Sequence, residues 1–102
     1  MSYKLRFQEL ALAEWRQLDG SVREPLKKKL AETLINPGVP SAALSGMADC
    51  YKIKLRSLGL RLIYRVDADI VFLTVIAVGR RDKDRFYTAA KNRLDWLVAD
   101  PP

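Results

Sequence analysis

The chain has 102 residues, 49% of them apolar, and a formal net charge of +6 from 18 basic and 12 acidic residues. This length fits one domain with its own core, over residues 1–102. Histidine is absent, which excludes serine–histidine–aspartate catalysis, histidine-paired ribonuclease chemistry and most zinc sites. With one cysteine and neither a signal-peptide pattern nor an apolar run of membrane length, the expected location is cytoplasmic.

The first third of the sequence predicts a strand followed by two helices. Apolar and basic residues alternate over 3–7, which favours a strand. Apolar residues at three- and four-residue spacings over 10–18 predict a helix that an Asp-Gly pair ends. Ser21 starts a capping-box pattern for a second helix, with Pro25 in its first turn. Two short helices joined in this way predict an antiparallel helical hairpin.

Three more strands and a helix are predicted after a loop over 36–47. The strands span 50–56, 60–66 and 70–78, and their short connections predict antiparallel pairing. The last strand is apolar on both faces, so we expect it to be central. Asp82 or Asp84 caps a final helix. The order β-α-α-β-β-β-α predicts an α+β fold, an antiparallel-rich four-stranded sheet packed by the N-terminal helical hairpin and the C-terminal helix.

The predicted hairpin formed by the first two of these strands is strongly basic. Between residues 51 and 66 there is no acidic residue, and the five basic ones are Lys52, Lys54, Arg56, Arg61 and Arg65. Residues two apart share a strand face, so Lys52, Lys54 and Arg56 are expected to project together with Arg61 opposite. A solvated lysine-rich edge strand would give a similar pattern. The unbroken positive charge and a second cluster, Arg80-Arg81, favour binding of an RNA phosphate backbone.

Catalysis on such a surface would depend on Lys, Arg, Tyr or carboxylate groups. A free lysine titrates too high to be an efficient base at neutral pH, but crowded positive charges lower its pKa. A metal site is the weaker interpretation, because the aspartate pairs 67/69 and 82/84 have no third ligand at a suitable spacing and fit turns and caps. Cys50, without a histidine base, is interpreted as a buried residue at a strand start.

The segment 47–57, with Gly59, Arg61, Leu62, Tyr64 and the Val-Gly pair at 78–79, resembles the RelE family of bacterial toxins. The resemblance extends through 13–16, 22–24 and 27–30 and covers about residues 1–94. It implies the RelE-like fold and the toxin of a type II toxin–antitoxin system. The implied activity is a ribosome-dependent endoribonuclease that cleaves mRNA in the A site by 2′-OH attack and inhibits translation, with no cofactor or metal.

The resemblance also implies catalytic roles for five residues. Lys52 and Lys54 match the lysines beside the reacting 2′-OH and phosphate, and Lys54 is the first choice for the base. Arg61 matches the arginine that stabilises the developing phosphorane charge. Arg81 matches the general acid or leaving-group stabiliser. Tyr87 matches the tyrosine that stacks on or orients a nucleotide, and it is the second candidate for the base.

Implied partners are a RelB-like antitoxin, the 70S ribosome through its 30S A site and 16S rRNA, and mRNA, with operator DNA bound only through the antitoxin complex and no membrane. Basic residues outside the catalytic set are candidates for RNA binding: Arg56, Arg65, Arg80, Lys27 and Lys28. The tail over 94–102 is longer than in the family. The alternatives are a non-enzymatic ParE-like toxin that poisons gyrase, whose family generally lacks the Lys-x-Lys, Arg and Tyr set, and a plain RNA-binding module.

Overall fold

The computed structural model of the chain describes residues 2–80 and 83–99, and that part contains four strands and three α-helices. In chain order they are β1 Lys4–Phe7, α1 Glu9–Gln17, α2 Gly20–Thr33, β2 Cys50–Leu55, β3 Leu60–Asp67, β4 Phe72–Arg80 and α3 Lys83–Ala99. Two 3₁₀ turns, Pro40–Ala42 and Arg56–Leu58, lie in the connections. The predicted element order is confirmed, and α3 continues through residues 94–99 of the tail.

The four strands form one mixed sheet in the order β1-β4-β3-β2. The β2–β3 and β3–β4 pairs are antiparallel, whereas β1 pairs with β4 in parallel. The central position predicted for β4 is confirmed, since residues 73–78 are all buried. The α+β fold is therefore the one that the sequence predicts, with the sheet antiparallel everywhere except at β1.

Two hydrophobic clusters cover the opposite faces of the sheet. The first joins α1 and α2 to the sheet through Ala11, Leu26, Leu30, Ile53, Leu62, Tyr64, Leu73, Val75 and Val78. The second joins α3 to the sheet through Met47, Cys50, Ile63, Ile76, Ala77, Phe86 and Ala90. Each fully buried aliphatic side chain contributes about 1.5–3 kcal/mol. Because side chains alternate along β2, the lysines at 52 and 54 lie on the same face as Cys50, which is the face covered by α3.

The start of α2 differs from the prediction. Ser21 is not the N-cap, because Asp19 takes the extended cap conformation and its carbonyl accepts from the amides of Val22 and Arg23. Aspartate is itself a favoured cap residue, so the helix begins at Gly20. Pro25 then lies inside the helix and not in its first turn, and its ring is exposed.

Two strand boundaries also differ. The strand β2 ends at Leu55, so Arg56 lies in the 3₁₀ turn that Gly59 closes with a left-handed φ of 63°. The strand β4 starts at Phe72 and runs to Arg80, because Val71 takes a φ of 59° and lengthens the preceding turn. Within 2–80 and 83–99, no helix is both long and apolar enough to cross a bilayer.

Candidate active site

The basic hairpin places three of the predicted catalytic side chains together. Lys54 pairs directly with Arg61 across the antiparallel β2–β3 ladder, so the two side chains project from one face of the sheet. Lys52 lies two residues earlier on the same face, opposite Ile63. All three are half-buried. Alternation on β2 and the length of the turn are enough to produce this arrangement, and the prediction of a cationic row is confirmed for these residues.

Arg56 does not belong to that row. It projects from the 3₁₀ turn, where it is exposed, and the expectation that it shares the strand face of Lys52 and Lys54 is wrong. The turn nevertheless keeps Arg56 close to the other cations. Together with Lys54, Gly59, Leu60 and Arg61 it lines an open cavity of about 350 Å³ at the end of the hairpin.

Helix α3 adds the fourth side chain. Phe86 packs against the backbone at Gly79, where a Cβ would lie 3.6 Å from the ring, and this contact seats the first turn of α3 on the end of β4. The next residue, Tyr87, then faces the hairpin. Its hydroxyl oxygen accepts a hydrogen bond of 3.0 Å from Arg61 Nη1. The two residues are 26 positions apart in the chain, and only the packing of α3 on the sheet brings them together.

The electrostatics of the cluster act on Lys54. The pKa of its ammonium group is lowered, first by the positive charge of Lys52, then by partial removal from solvent, and further by the charges of Arg61 and Arg56. A lowered pKa increases the fraction of neutral amine near physiological pH, which is the form that can accept a proton. The neighbouring positive charges therefore favour Lys54 as the general base.

Cys50 is a structural residue. It is the first residue of β2, is 1% exposed, and burial raises the pKa of its thiol to about 11. A thiol that stays protonated and lies inside the core is inert, so the sequence-based interpretation is confirmed. The carboxylate of Asp67 pairs with Arg65 at 3.2 Å and Arg6 at 3.7 Å. In the described part of the chain, no three His, Cys, Asp or Glu side chains group as metal ligands.

The remaining candidates lie in different places. Arg80 is exposed at the end of β4 and pairs with Leu60, at the same end of the sheet as the cavity. Arg65 lies at the other end of β3, and its Nε and Nη2 both donate to Asp67. Lys27 and Lys28 are exposed on α2, the helix that packs on the opposite face of the sheet. Arg81, like Asp82, lies outside the described residues.

Sequence reasoning missed the role of the turn residues. Gly59 permits the left-handed conformation that lets Arg56 project beside Arg61, and Leu60 forms part of the cavity wall. A Ser-Leu-Gly sequence between two strands indicates a turn but not which side chains the turn aims into a site.

Comparison with known proteins identifies the family. The family model described as the ParE toxin of type II toxin–antitoxin system parDE matches residues 5–85. The chain belongs to the RelE/ParE toxin family. Within it, the chain is 51% identical over 94 residues to the mRNA interferase toxin RelE of Escherichia coli strain K12. The matched residues cover 92% of this chain and 99% of the relative. The resemblance seen in the sequence is confirmed.

Two solved structures of RelE agree with this assignment. A double arginine-to-alanine mutant of E. coli toxin RelE in the free state matches with a TM-score of 0.85 and 50% identity, over 92% of this chain and 99% of that one. The intact E. coli RelBE toxin–antitoxin complex matches with a TM-score of 0.78 and 52% identity, over 80% of this chain and 100% of that one. The chain is thus RelE-like within the RelE/ParE family, which removes the support for a gyrase-poisoning ParE-like toxin.

Proposed function

We propose that this chain is the toxin of a type II toxin–antitoxin pair and that it cleaves mRNA in the ribosomal A site. The observation that carries the proposal is the cluster of Lys54, Arg61 and Tyr87 on one face of the sheet, with the arginine hydrogen-bonded to the tyrosine. The activity named for its half-identical relative, mRNA interferase, supports the same chemistry.

The reaction begins with proton removal from a ribose 2′-OH. The 2′ oxygen attacks the adjacent phosphorus, the new O2′–P bond forms and the P–O5′ bond breaks, which leaves a 2′,3′-cyclic phosphate and a 5′-hydroxyl end. Lys54 takes the proton, because its pKa is lowered by Lys52 and by its other cationic neighbours. The ammonium group of Lys52 is proposed to attract the phosphate. Tyr87 is the second candidate for the base.

Arg61 and Tyr87 act as a unit. A guanidinium group has five N–H donors, and one donor of Arg61 is used by the Tyr87 hydroxyl. The others can bind the non-bridging phosphate oxygens, whose negative charge grows in the transition state. Tyr87 Oη accepts from Arg61, and the O–H of the same hydroxyl is proposed to donate to the ribose or to the phosphate. Arg81 is proposed from the resemblance alone, as the group that protonates or stabilises the leaving 5′ oxygen.

The other basic residues serve to hold RNA. Arg56 and Arg80 are proposed to contact the mRNA backbone, and their exposure at the end of the sheet that carries Lys54 and Arg61 supports this. Lys27 and Lys28 project from the opposite side, where 16S rRNA of the 30S A site in the 70S ribosome is the proposed contact. Arg65 is the weakest of the five candidates for RNA binding, because its guanidinium group already donates to Asp67. A chain of net charge +6 gains affinity for RNA by releasing counterions.

The partner that neutralises the toxin is proposed to be a RelB-like antitoxin, by analogy with the E. coli RelBE complex. Operator DNA would then be bound only through that complex, and the pair would act in the cytoplasm.

The direct test is primer extension on a translated mRNA after induction of the toxin. We expect new 5′ ends at defined codon positions with the wild-type chain and none with Lys54→Met. Lys91→Met is the matched control, since Lys91 is an exposed lysine of α3 outside the cluster, and it should retain the cuts. Cuts of equal strength with Lys54→Met would contradict the proposed role of Lys54, and no cuts with the wild-type chain would contradict the function.

A further inference from the structure

At the end of the sheet that carries Lys54 and Arg61, β4 extends beyond the last residue that pairs with β1. The strand β1 ends at Phe7, which pairs with Val75, while β4 continues to Arg80. A register shift between Ile63 and Tyr64 marks a bulge in the β3–β4 ladder opposite this point. On this edge the Val78 amide and the Ile76 carbonyl are bound by side chains.

An ion pair between two helices fills this gap. The carboxylate of Glu14, on α1, accepts from the Val78 amide at 3.1 Å and from both terminal nitrogens of Arg93 at 2.8 and 2.9 Å. Arg93, on α3, also donates to the Ile76 carbonyl at 3.0 Å. Its side chain is only 13% exposed. One bidentate, charge-assisted pair thus joins α1, α3 and the central strand.

Resting on the proposed function, we infer that the Glu14–Arg93 pair is a positioning device that holds α3 in the one register on β4 that lets Tyr87 meet Arg61. Arg93 and Tyr87 are six residues apart on one helix, a rise of about 9 Å. Phe86 packs the first turn of α3 against Gly79, and Arg93 attaches the helix by a hydrogen bond to the Ile76 carbonyl two turns later. Tyr87 lies between these two points of attachment.

The apolar contacts of α3 cannot supply this register alone. The buried residues Phe86 and Ala90 hold α3 on the sheet through contacts that are non-directional, so they tolerate small sliding movements. The bidentate pair does not, because each of its hydrogen bonds weakens steeply with misalignment. A displacement of about 1 Å at Tyr87 is enough to lose the 3.0 Å bond to Arg61 and to lower a reaction rate by about 100-fold.

A double-mutant cycle separates positioning from general stability. The single-turnover rate of cleavage of mRNA on purified ribosomes, and the affinity for those ribosomes, are measured for the wild type, Arg93→Ala, Tyr87→Phe and the double variant. We expect Arg93→Ala to slow cleavage by about 10- to 100-fold at unchanged affinity. In the Tyr87→Phe background, Arg93→Ala should slow cleavage by less than about threefold, because the hydrogen bond from Arg61 to Tyr87 that it disturbs is already absent.

The matched control is Arg6→Ala. Arg6 also joins parts of the sheet, through an ion pair to Asp67 and a hydrogen bond to Thr74, and neither of these partners lies on α3. It should lower the melting temperature without changing the cleavage rate of the folded protein. If Arg93→Ala does not fold, Glu14→Gln replaces it in the cycle, since the amide oxygen still accepts from Val78 while the charge is lost.

Three results would overturn the inference. Cleavage at the wild-type rate by the Arg93 or Glu14 variant would show that the pair does not affect the site. An equal loss in both backgrounds would show that it does not act through Tyr87. A wild-type chain that leaves ribosome-bound mRNA intact would overturn the proposed function and this inference with it, whereas the first two results overturn the inference alone.

Discussion

The hydrogen bond between Arg61 and Tyr87 predicts the effect of removing a single oxygen atom. Tyr87→Phe keeps the ring and its packing against Phe86 but deletes the hydroxyl that Arg61 Nη1 contacts at 3.0 Å. A hydrogen bond to a charged group contributes about 1.5–3 kcal/mol. If that bond orients Arg61 toward the transition state, the rate of the chemical step falls by about 10- to 150-fold.

The assay is single-turnover cleavage of a short mRNA on purified ribosomes, with toxin in excess and the melting temperature measured in parallel. Tyr3→Phe is the matched control, since Tyr3 lies before β1 and lines a separate surface at the other end of the sheet. It should cleave at the wild-type rate. Cleavage at the wild-type rate by Tyr87→Phe, with its stability unchanged, would show that the hydrogen bond from Arg61 to Tyr87 does not contribute to the chemical step. A loss as large as that of Lys54→Met would instead favour Tyr87 as the base.

Three further predictions concern the charge and backbone of the hairpin. Lys52→Met removes the main cause of the lowered pKa of Lys54, so the rise of the cleavage rate with pH should move to higher pH; an unmoved or acid-shifted profile would contradict this. Because burial raises the pKa of Cys50 from 9.0 to about 11, the contribution of the thiol to the free energy of unfolding should be complete well below pH 9 and should fall by roughly 2 to 3 kcal/mol by pH 11. Chemical denaturation across this range should show a smaller fall for Cys50→Ala, and an identical fall would count against the thiol. Gly59→Ala should destabilise the protein by about 1–2 kcal/mol, because Gly59 has a φ of 63° that an alanine adopts only with backbone strain. Gly20→Ala is the control, since a Cβ there also meets open space but the residue lies at a helix start; equal melting temperatures of the two variants would show that Gly59→Ala introduces no such strain.

Much of the fold can be predicted because its determinants are local. Alternation in β2 assigns Lys52 and Lys54 to one face, and the doubly apolar sequence of β4 places that strand at the centre of the sheet. Short turns require the hairpins to be antiparallel. The prediction for α2 was wrong because Asp19 and Ser21 are both good caps, and a sequence pattern does not show which backbone turns first.

The part of the site that could not be predicted from the residues alone depends on long-range packing. The bond from Arg61 to Tyr87 spans 26 residues and the bond from Arg93 to Glu14 spans 79. Neither bond follows from the hydrophobic periodicity of the sequence, because each depends on the position in which α3 packs on the sheet. Only the family resemblance indicated Tyr87 in advance, and nothing in the sequence indicated Arg93.

The cationic cluster is proposed to drive attack by a ribose 2′-OH on ribosome-bound mRNA. The most direct measurement compares two mRNAs on purified ribosomes, one all-ribose and one with a single 2′-deoxy nucleotide at the mapped cut. We expect the first to be cut to a 2′,3′-cyclic phosphate and a 5′-hydroxyl end and the second to stay intact at that position. Equal cutting of the deoxy mRNA would contradict it.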